Sequence, residues 1–110
     1  MEFSYRKSGD FCVVDIAGQV KVPDFADLQR KLLGVIESGE KNIVINCAGL
    51  TYISSTGLRI LLVALKKVTA AGGTMRIAGL QDNIREIMVI AGFTSIFSIF
   101  TTLDEALTTT

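Results

Sequence analysis

The sequence predicts a single α/β domain over residues 1–110, with a mainly parallel sheet of four to five strands and helices packed on it. Short apolar runs rich in β-branched residues alternate with longer segments in which apolar residues recur every three or four positions. Strands that alternate with helices in this way are joined by right-handed crossovers, which make neighbouring strands parallel. The length of 110 residues suits one domain, and a 49% hydrophobic content provides a buried core.

The first half of the chain is predicted to contain a β-hairpin, a helix and a buried strand. Ser8, Gly9 and Asp10 separate two strand-like runs, which indicates an antiparallel pair. Pro23 suits a first helical turn, because it lacks an N–H that this turn leaves unbonded. Apolar residues then recur at helical spacing until Gly39 ends the pattern. The predicted strands are 3–7, 11–18 and 41–49, and the apolar helix positions are Phe25, Leu28, Leu32 and Ile36.

The second half is predicted to contain two longer helices, two strands and a short terminal helix. Gly72 and Gly73 end the first helix, whereas Asp82 caps the second and Gly92 ends it. The predicted strands are 74–80 and 94–101, and the terminal helix follows at 103–110. The predicted core positions are Leu58, Leu61, Leu65 and Val68 on the first helix, and Ile84, Ile87, Met88 and Ala91 on the second.

The charge balance argues against nucleic-acid and membrane partners. Eleven basic and eleven acidic residues give a formal net charge of zero, which offers no attraction for a polyanion or an anionic bilayer. The longest apolar run, 60–65, is too short to span a membrane, and no secretory leader pattern opens the chain. We therefore expect a soluble, cytoplasmic domain.

The cysteines and the absence of histidine argue against catalysis and metal binding. Cys12 and Cys47 lie within apolar runs, which is typical of buried free thiols in a reducing compartment. Without histidine the chain has no Ser-His or Cys-His pair, and two cysteines alone are too few ligands for a structural zinc site. We predict no enzyme activity, no metal and no cofactor. A small hydrolase or phosphotransferase with Ser55 as nucleophile stays an alternative, in which Lys21 is the candidate base.

Three hydroxyl residues and a glycine, Ser54 to Gly57, stand together before a helical pattern. A strand ending near Cys47 and a helix starting near Thr56 place them at the carboxyl edge of the sheet, where α/β proteins bind ligands. The free N–H groups and dipole of a helix N-terminus favour a phosphate there, which makes Ser55 a candidate phosphate carrier. Gly57 would let a partner approach the backbone closely. Capping by one hydroxyl also explains the pattern, and the residues alone leave both interpretations open.

The segment LTYISSTGLRILLVALKKV, residues 50–68, resembles the signature apolar-x-D-S-[ST]-G-L-x-x-L of STAS domains, in particular the bacterial anti-sigma factor antagonists. VVDIAGQV at 13–20 and AGGTMRIAGL at 71–80 are similar to other parts of that family. The resemblance implies a partner-switching module that binds an anti-sigma factor with serine kinase activity and so frees a sigma factor. It further implies that this kinase phosphorylates Ser55 and that a PP2C-type phosphatase reverses the modification.

Two positions depart from the family pattern. The family often carries an acid where this chain has Ser54, and another where it has Lys21. Both departures remove negative charge near the expected phosphorylation site. Arg59 follows Ser55 by four residues on the same helix face, so we expect it to hold a phosphate locally.

The partner surface is expected to lie on the outer face of the same helix. At 3.6 residues per turn, Ile60 and Val63 are apolar positions on an otherwise polar face beside Ser55. Isolated exposed aliphatic residues are also common without any function, so this alternative stays open. A second alternative is a STAS subunit of a larger stress-sensing or lipid-transport assembly. The expected partner-binding residues are Ser54, Thr56, Gly57, Arg59, Ile60, Val63 and Lys21.

Overall fold

The computed structural model of the chain describes residues 1–109. Its strands are β1 (Glu2–Ser8), β2 (Phe11–Val20), β3 (Asn42–Asn46), β4 (Leu50–Ile53), β5 (Thr74–Ala78) and β6 (Ser98–Phe100). Its α-helices are α1 (Phe25–Glu37), α2 (Ser55–Ala70), α3 (Asp82–Ile90) and α4 (Leu103–Thr108), and two 3-10 turns cover Val22–Asp24 and Phe93–Ser95.

The strands form one sheet in the order β1-β2-β3-β5-β6, with β4 paired to β2 beyond the end of β3. β1 and β2 are antiparallel, as the predicted hairpin requires, and all other pairs are parallel. The mainly parallel α/β sheet is therefore confirmed. The described residues form six strands, however, whereas four to five were expected.

The additional strand is β4, in a segment that the sequence placed in a loop. β4 buries only its first and last residues, Leu50 and Ile53, so it lacks the alternating pattern of a half-buried strand. β4 forms because β2 continues to Val20, beyond the predicted end at Gly18. The additional residues of β2 provide backbone groups with which β4 pairs. A register shift between Gly18 and Gln19 lets β2 follow β3 first and β4 afterwards.

The main core lies on the face of the sheet that α1, α2 and α3 cover. Cys12, Ile43 and Ile77 from the strands pack there with buried leucines, isoleucines and methionines of the helices. Each fully buried large aliphatic side chain contributes about 1.5–3 kcal/mol, so this layer supplies most of the stabilising burial. The functional loops between strands and helices are thereby fixed to a rigid base.

The opposite face is covered by α4. Val44, Ala78 and Ala106 form a small second cluster there, with Phe11 and Phe100 packed around it. The Arg76 guanidinium lies 5.1 Å from the Phe11 ring and 5.2 Å from the Phe100 ring. Arg76 also donates hydrogen bonds of 2.6 Å to the carbonyl oxygens of Ala106 and Thr109, so it fixes the end of the last helix to the sheet.

Several predicted boundaries need correction. Pro23 lies in a 3-10 turn before α1 and not in the α-helix itself. The N-cap position of α3 is occupied by Gln81 and not by Asp82, which is the first residue of the helix. The last strand is confined to Ser98–Phe100, because Phe93–Ser95 forms a turn. On α2, Ala64 is buried whereas Leu65 is half-buried. Among the residues that the structure describes, no helix is both long and apolar enough to cross a bilayer.

Candidate functional site

The N-terminus of α2 is built from one capping serine and two free hydroxyl residues. Ser54 has extended backbone (φ −80°, ψ 168°), and its Oγ accepts a hydrogen bond of 3.2 Å from the Gly57 N–H. Its carbonyl oxygen accepts the next bond, 3.0 Å from the Leu58 N–H. Ser54 therefore serves as the N-cap, and Ser55 and Thr56 are not needed for capping.

Ser55 is the first residue of α2, and its side chain and that of Thr56 are exposed. Within residues 1–109 neither hydroxyl forms a hydrogen bond to the protein. The first N–H groups of a helix have no intrahelical acceptor, and the helix dipole adds partial positive charge at the same end. An accessible hydroxyl thus lies where a negative group is stabilised.

Gly57 has an internal role that the sequence interpretation missed. It is buried, and a Cβ at this position would lie 2.6 Å from Cγ1 of Ile53 and 3.3 Å from Cγ1 of Val20. The missing side chain lets the first turn of α2 pack directly on β4 and β2. The internal packing thus gives a reason for glycine at this position that does not involve a partner, and partner binding at Gly57 stays a prediction.

Lys21 lies beside Ser54 because of the strand register. Val20 is paired with Ile53, so the residues that follow them, Lys21 and Ser54, leave the sheet at the same level. The Lys21 side chain is exposed, and its backbone N–H donates a 2.9 Å hydrogen bond to Oδ2 of Asp24. The two positions that depart from the acidic family pattern are thus neighbours in space.

Arg59 adds a second positive charge to this surface. It is exposed and lies one turn after Ser55, and helical side chains lean towards the N-terminus of their helix. In the described part of the chain neither Arg59 nor Lys21 forms a salt bridge, and the first turn of α2 contains no acid. Lys21 and Arg59 therefore bring two positive charges to the region of Ser55, with the Asp24 carboxylate bound to the backbone of Lys21.

Of the two apolar residues predicted to lie on the outer face of α2, only one is exposed. Val63 is 37% exposed, as expected for the outer face. Ile60 is half-buried and packs against the main core, so its assignment to the outer face is wrong. α2 contacts α1 as well as the sheet, so its buried arc is wider than a helix packed on the sheet alone would have. Two exposed apolar side chains close to the site in sequence were missed: Val22, 76% exposed, and Tyr52, 43% exposed.

Two amide side chains of the α3 region bind β4 and the loop before it. Gln81 Nε2 donates to the carbonyl oxygen of Ala48, in the loop, at 3.1 Å, and Asn83 Nδ2 donates to the carbonyl oxygen of Thr51, on β4, at 3.2 Å. Each amide satisfies a backbone acceptor. Sequence reasoning missed both, because each acceptor lies more than thirty residues away along the chain.

A family model described as STAS domain matches residues 2–106. The chain belongs to the STAS domain family. A protein of Bordetella bronchiseptica named anti-sigma factor antagonist BtrV is 28% identical over 106 residues, which cover 96% of this chain and 91% of that protein. The anti-sigma-B factor antagonist of Staphylococcus aureus is 27% identical over 82 residues, 74% of this chain and 76% of the relative.

Solved structures show the same fold. An anti-sigma factor antagonist from Mycobacterium paratuberculosis superposes with a TM-score of 0.90 at 20% identity, covering 97% of this chain and 91% of that one. The Bacillus cell fate determinant SpoIIAA in its phosphorylated form gives a TM-score of 0.73 at 18% identity, with 96% of both chains covered. These similarities show that the chain shares its overall fold with both structures.

Proposed function

We propose that this protein is a cytoplasmic anti-sigma factor antagonist whose binding to its partner is controlled by phosphorylation of Ser55. The observation that carries the proposal is that Ser54 and Ser55 have different roles at the start of α2. Ser54 caps the helix, which leaves the Ser55 hydroxyl exposed beside free backbone N–H groups. The names of the Bordetella and Staphylococcus relatives support the antagonist role.

The proposed partner is an anti-sigma factor with serine kinase activity, and a PP2C-type phosphatase reverses the modification. The kinase transfers the γ-phosphoryl group of ATP to Ser55 Oγ and releases ADP, and the serine proton leaves to solvent or to a base of the kinase. The phosphate adds about 1.5–2 negative charges at neutral pH. This charge converts a basic docking surface into one that is neutral or acidic, which weakens binding to a carboxylate-bearing partner.

Two basic side chains are proposed to hold the phosphate on the surface of this chain. Arg59 leans towards Ser55 from the next turn, and Lys21 leaves the sheet level with Ser54. A charge-assisted bond between Arg59 and the phosphate occupies a guanidinium that the unmodified protein offers to its partner. Phosphorylation therefore both adds a negative charge and withdraws a positive one.

The proposed docking surface surrounds Ser55. Its exposed members are Lys21, Thr56, Arg59 and Val63, and Ser54 is a half-buried member. We add two exposed apolar side chains, Val22 in the turn after β2 and Tyr52 on β4. Gly57 supports this surface from inside, and Ile60 contributes mainly to the core. A few exposed apolar groups within a polar rim are typical of protein–protein interfaces.

The test combines phosphate mapping with partner capture. We expect the cognate kinase and ATP to place one phosphate per chain on Ser55, and none on Ser55→Ala, by mass spectrometry. Ser55→Ala should retain its partner permanently in a pull-down, whereas Ser55→Asp should lose it. Thr94→Asp adds the same charge at an exposed position after α3 and serves as the control.

Two results would contradict the proposal. A phosphate found on Thr56 would move the switch to the neighbouring hydroxyl. Capture of the same partners by wild type and Ser55→Asp would instead fit a constitutive subunit of a larger assembly.

A further inference from the structure

β1 is an edge strand whose outer side is open. Over the described chain it pairs only with β2, through seven consecutive residue pairs that end at Ser8 and Phe11. Gly9 (φ +59°) and Asp10 connect this closing pair, and the pair that closes a two-residue hairpin is hydrogen-bonded. Because bonded and non-bonded pairs alternate, Phe3, Tyr5 and Lys7 direct their N–H and C=O groups away from β2.

A cleft of about 680 Å³ lies along this open edge, between β1 and α1. Phe3 and Tyr5 form its floor, and Arg30, Lys31, Gly34 and Val35 line its wall. Tyr5 is 63% exposed, which leaves a large aromatic surface in water although it lies next to the core-facing side of the sheet.

Gly34 is the informative residue of the cleft. It stands inside α1, where glycine costs about 1 kcal/mol relative to alanine. Apart from its chain neighbours and the adjoining backbone of α1, no described residue places an atom within 4 Å of a Cβ built at this position, so the packing against other elements does not require a glycine. Its small size keeps space open in the wall of the cleft.

We propose that a second copy of this chain occupies the edge and the cleft, with its own β1 added antiparallel to the first. The two β1 strands can form hydrogen bonds only in registers that pair Phe3, Tyr5 and Lys7 with one another, because the N–H and C=O groups of these residues point away from β2. One of these registers sets Glu2 opposite Arg6 and Phe3 opposite Tyr5 of the other copy, on both sides of a central Ser4–Ser4 pair. It matches opposite charges on one face and aromatic rings on the other, both of which stabilise cross-strand pairs.

The two-fold axis of this pairing stands perpendicular to the sheet, so equivalent faces of the two copies adjoin. Tyr5 of each copy then enters the cleft of the other, beside Gly34. Arg6 already contacts Asp15 within its own chain, and a guanidinium has enough donors to bind Glu2 of the second copy as well. Asp27 pairs with Arg30 and Lys31, which reduces the charge repulsion between the cleft walls.

A disulfide trap tests the register. In the proposed dimer the two Ser4 residues form a non-hydrogen-bonded pair, with Cα atoms about 4.5 Å apart, which suits a disulfide. Under mild oxidation Ser4→Cys should become a covalent dimer at least tenfold faster than Ser98→Cys, which carries its thiol on β6 at the opposite edge. Both native cysteines are buried and do not interfere. Equal rates for the two variants would overturn the proposal.

Charge reversal provides a second test by analytical ultracentrifugation. Wild type should show a concentration-dependent dimer, which Glu2→Arg weakens at least tenfold and Glu86→Arg, a control on α3, leaves unchanged. An equimolar mixture of Glu2→Arg and Arg6→Glu should restore a heterodimer, because each mixed pair again joins opposite charges. If Arg6→Glu does not fold, Gly34→Leu tests the same interface, because its side chain fills the cleft and should weaken the dimer. A monomeric wild type at millimolar concentration, or a dimer indifferent to both Glu2→Arg and Gly34→Leu, would refute the interface.

Discussion

Arg59 is the residue on which the proposed direction of the switch depends. It is exposed one turn after Ser55 and carries no salt bridge within the described residues. We expect Arg59→Ala to reduce the affinity ratio between unmodified and phosphorylated protein by about five- to thirtyfold, because one charge-assisted bond is worth about 1–2 kcal/mol. Calorimetric titration of both forms with the partner measures this ratio. Lys66→Ala removes an equal charge elsewhere on α2 and should leave the ratio unchanged; an identical effect of both variants would disprove the role of Arg59.

Because Gly57 has no side chain, the first turn of α2 packs closely on β4, and this contact determines the position of the site. We expect Gly57→Ala to lower the free energy of unfolding by about 1 kcal/mol, because overpacking against Ile53 outweighs the gain in helix propensity. Thr56→Ala, one residue away and exposed, should change it by less than about 0.5 kcal/mol. Urea unfolding followed by circular dichroism compares the two. If both variants are equally stable, the close contact between α2 and β4 does not determine the position of the site.

At the scale of elements, the outer face of α2 carries the docking prediction. Val63→Lys should lower partner affinity at least tenfold while the free energy of unfolding changes by less than about 0.5 kcal/mol, because the side chain is already partly in water. Thr69→Lys, on the last turn of the same helix, is the matched control. Pull-down and thermal unfolding give the two readouts. If Val63→Lys lowers the free energy of unfolding as much as a core substitution does and leaves partner affinity unchanged, Val63 stabilises the fold and does not belong to the interface.

The half-buried position of Ile60 could not be predicted from helical periodicity alone. The pattern of leucines on α2 correctly predicted one buried stripe, with Leu58 and Leu61 at its centre. It did not show that α1 covers a further part of the same helix, because that contact depends on how the two helices pack side by side. Substitution of Ile60 therefore tests packing and docking together, whereas Val63 isolates docking.

At the scale of the whole molecule, the buried thiols link folding stability to alkaline pH. Burial raises the pKa of Cys47 from 9.0 to about 12, and burial also raises the pKa of Cys12. The native state keeps the Cys47 proton while the unfolded chain releases it, so the stabilising effect is complete below about pH 9 and is lost between about pH 9 and 12. We expect a loss of about 1.4 kcal/mol per pH unit in this window from Cys47.

The measurement is urea unfolding at about pH 7 and pH 10.5 for wild type and Cys47→Ala. The variant is expected to be less stable at pH 7, because alanine leaves a small cavity, yet it should lose less stability on alkalisation. Parallel losses in the two proteins would show that the Cys47 thiol does not control the alkaline transition.

The order of helices and strands, the buried thiols and the exposed hydroxyl run followed from local patterns in the sequence, because each depends on residues that are close along the chain. Three features depended on tertiary structure: the extra strand β4, the internal role of Gly57 and the support of β4 by Gln81 and Asn83. They rest on contacts between segments separated along the chain, where the register of β2 and the packing of α2 decide which atoms meet. The run of three hydroxyl residues is visible in the sequence, but which of them caps α2 follows only from the geometry at the end of β4, where Ser54 Oγ accepts the Gly57 N–H and leaves Ser55 without a role in the cap.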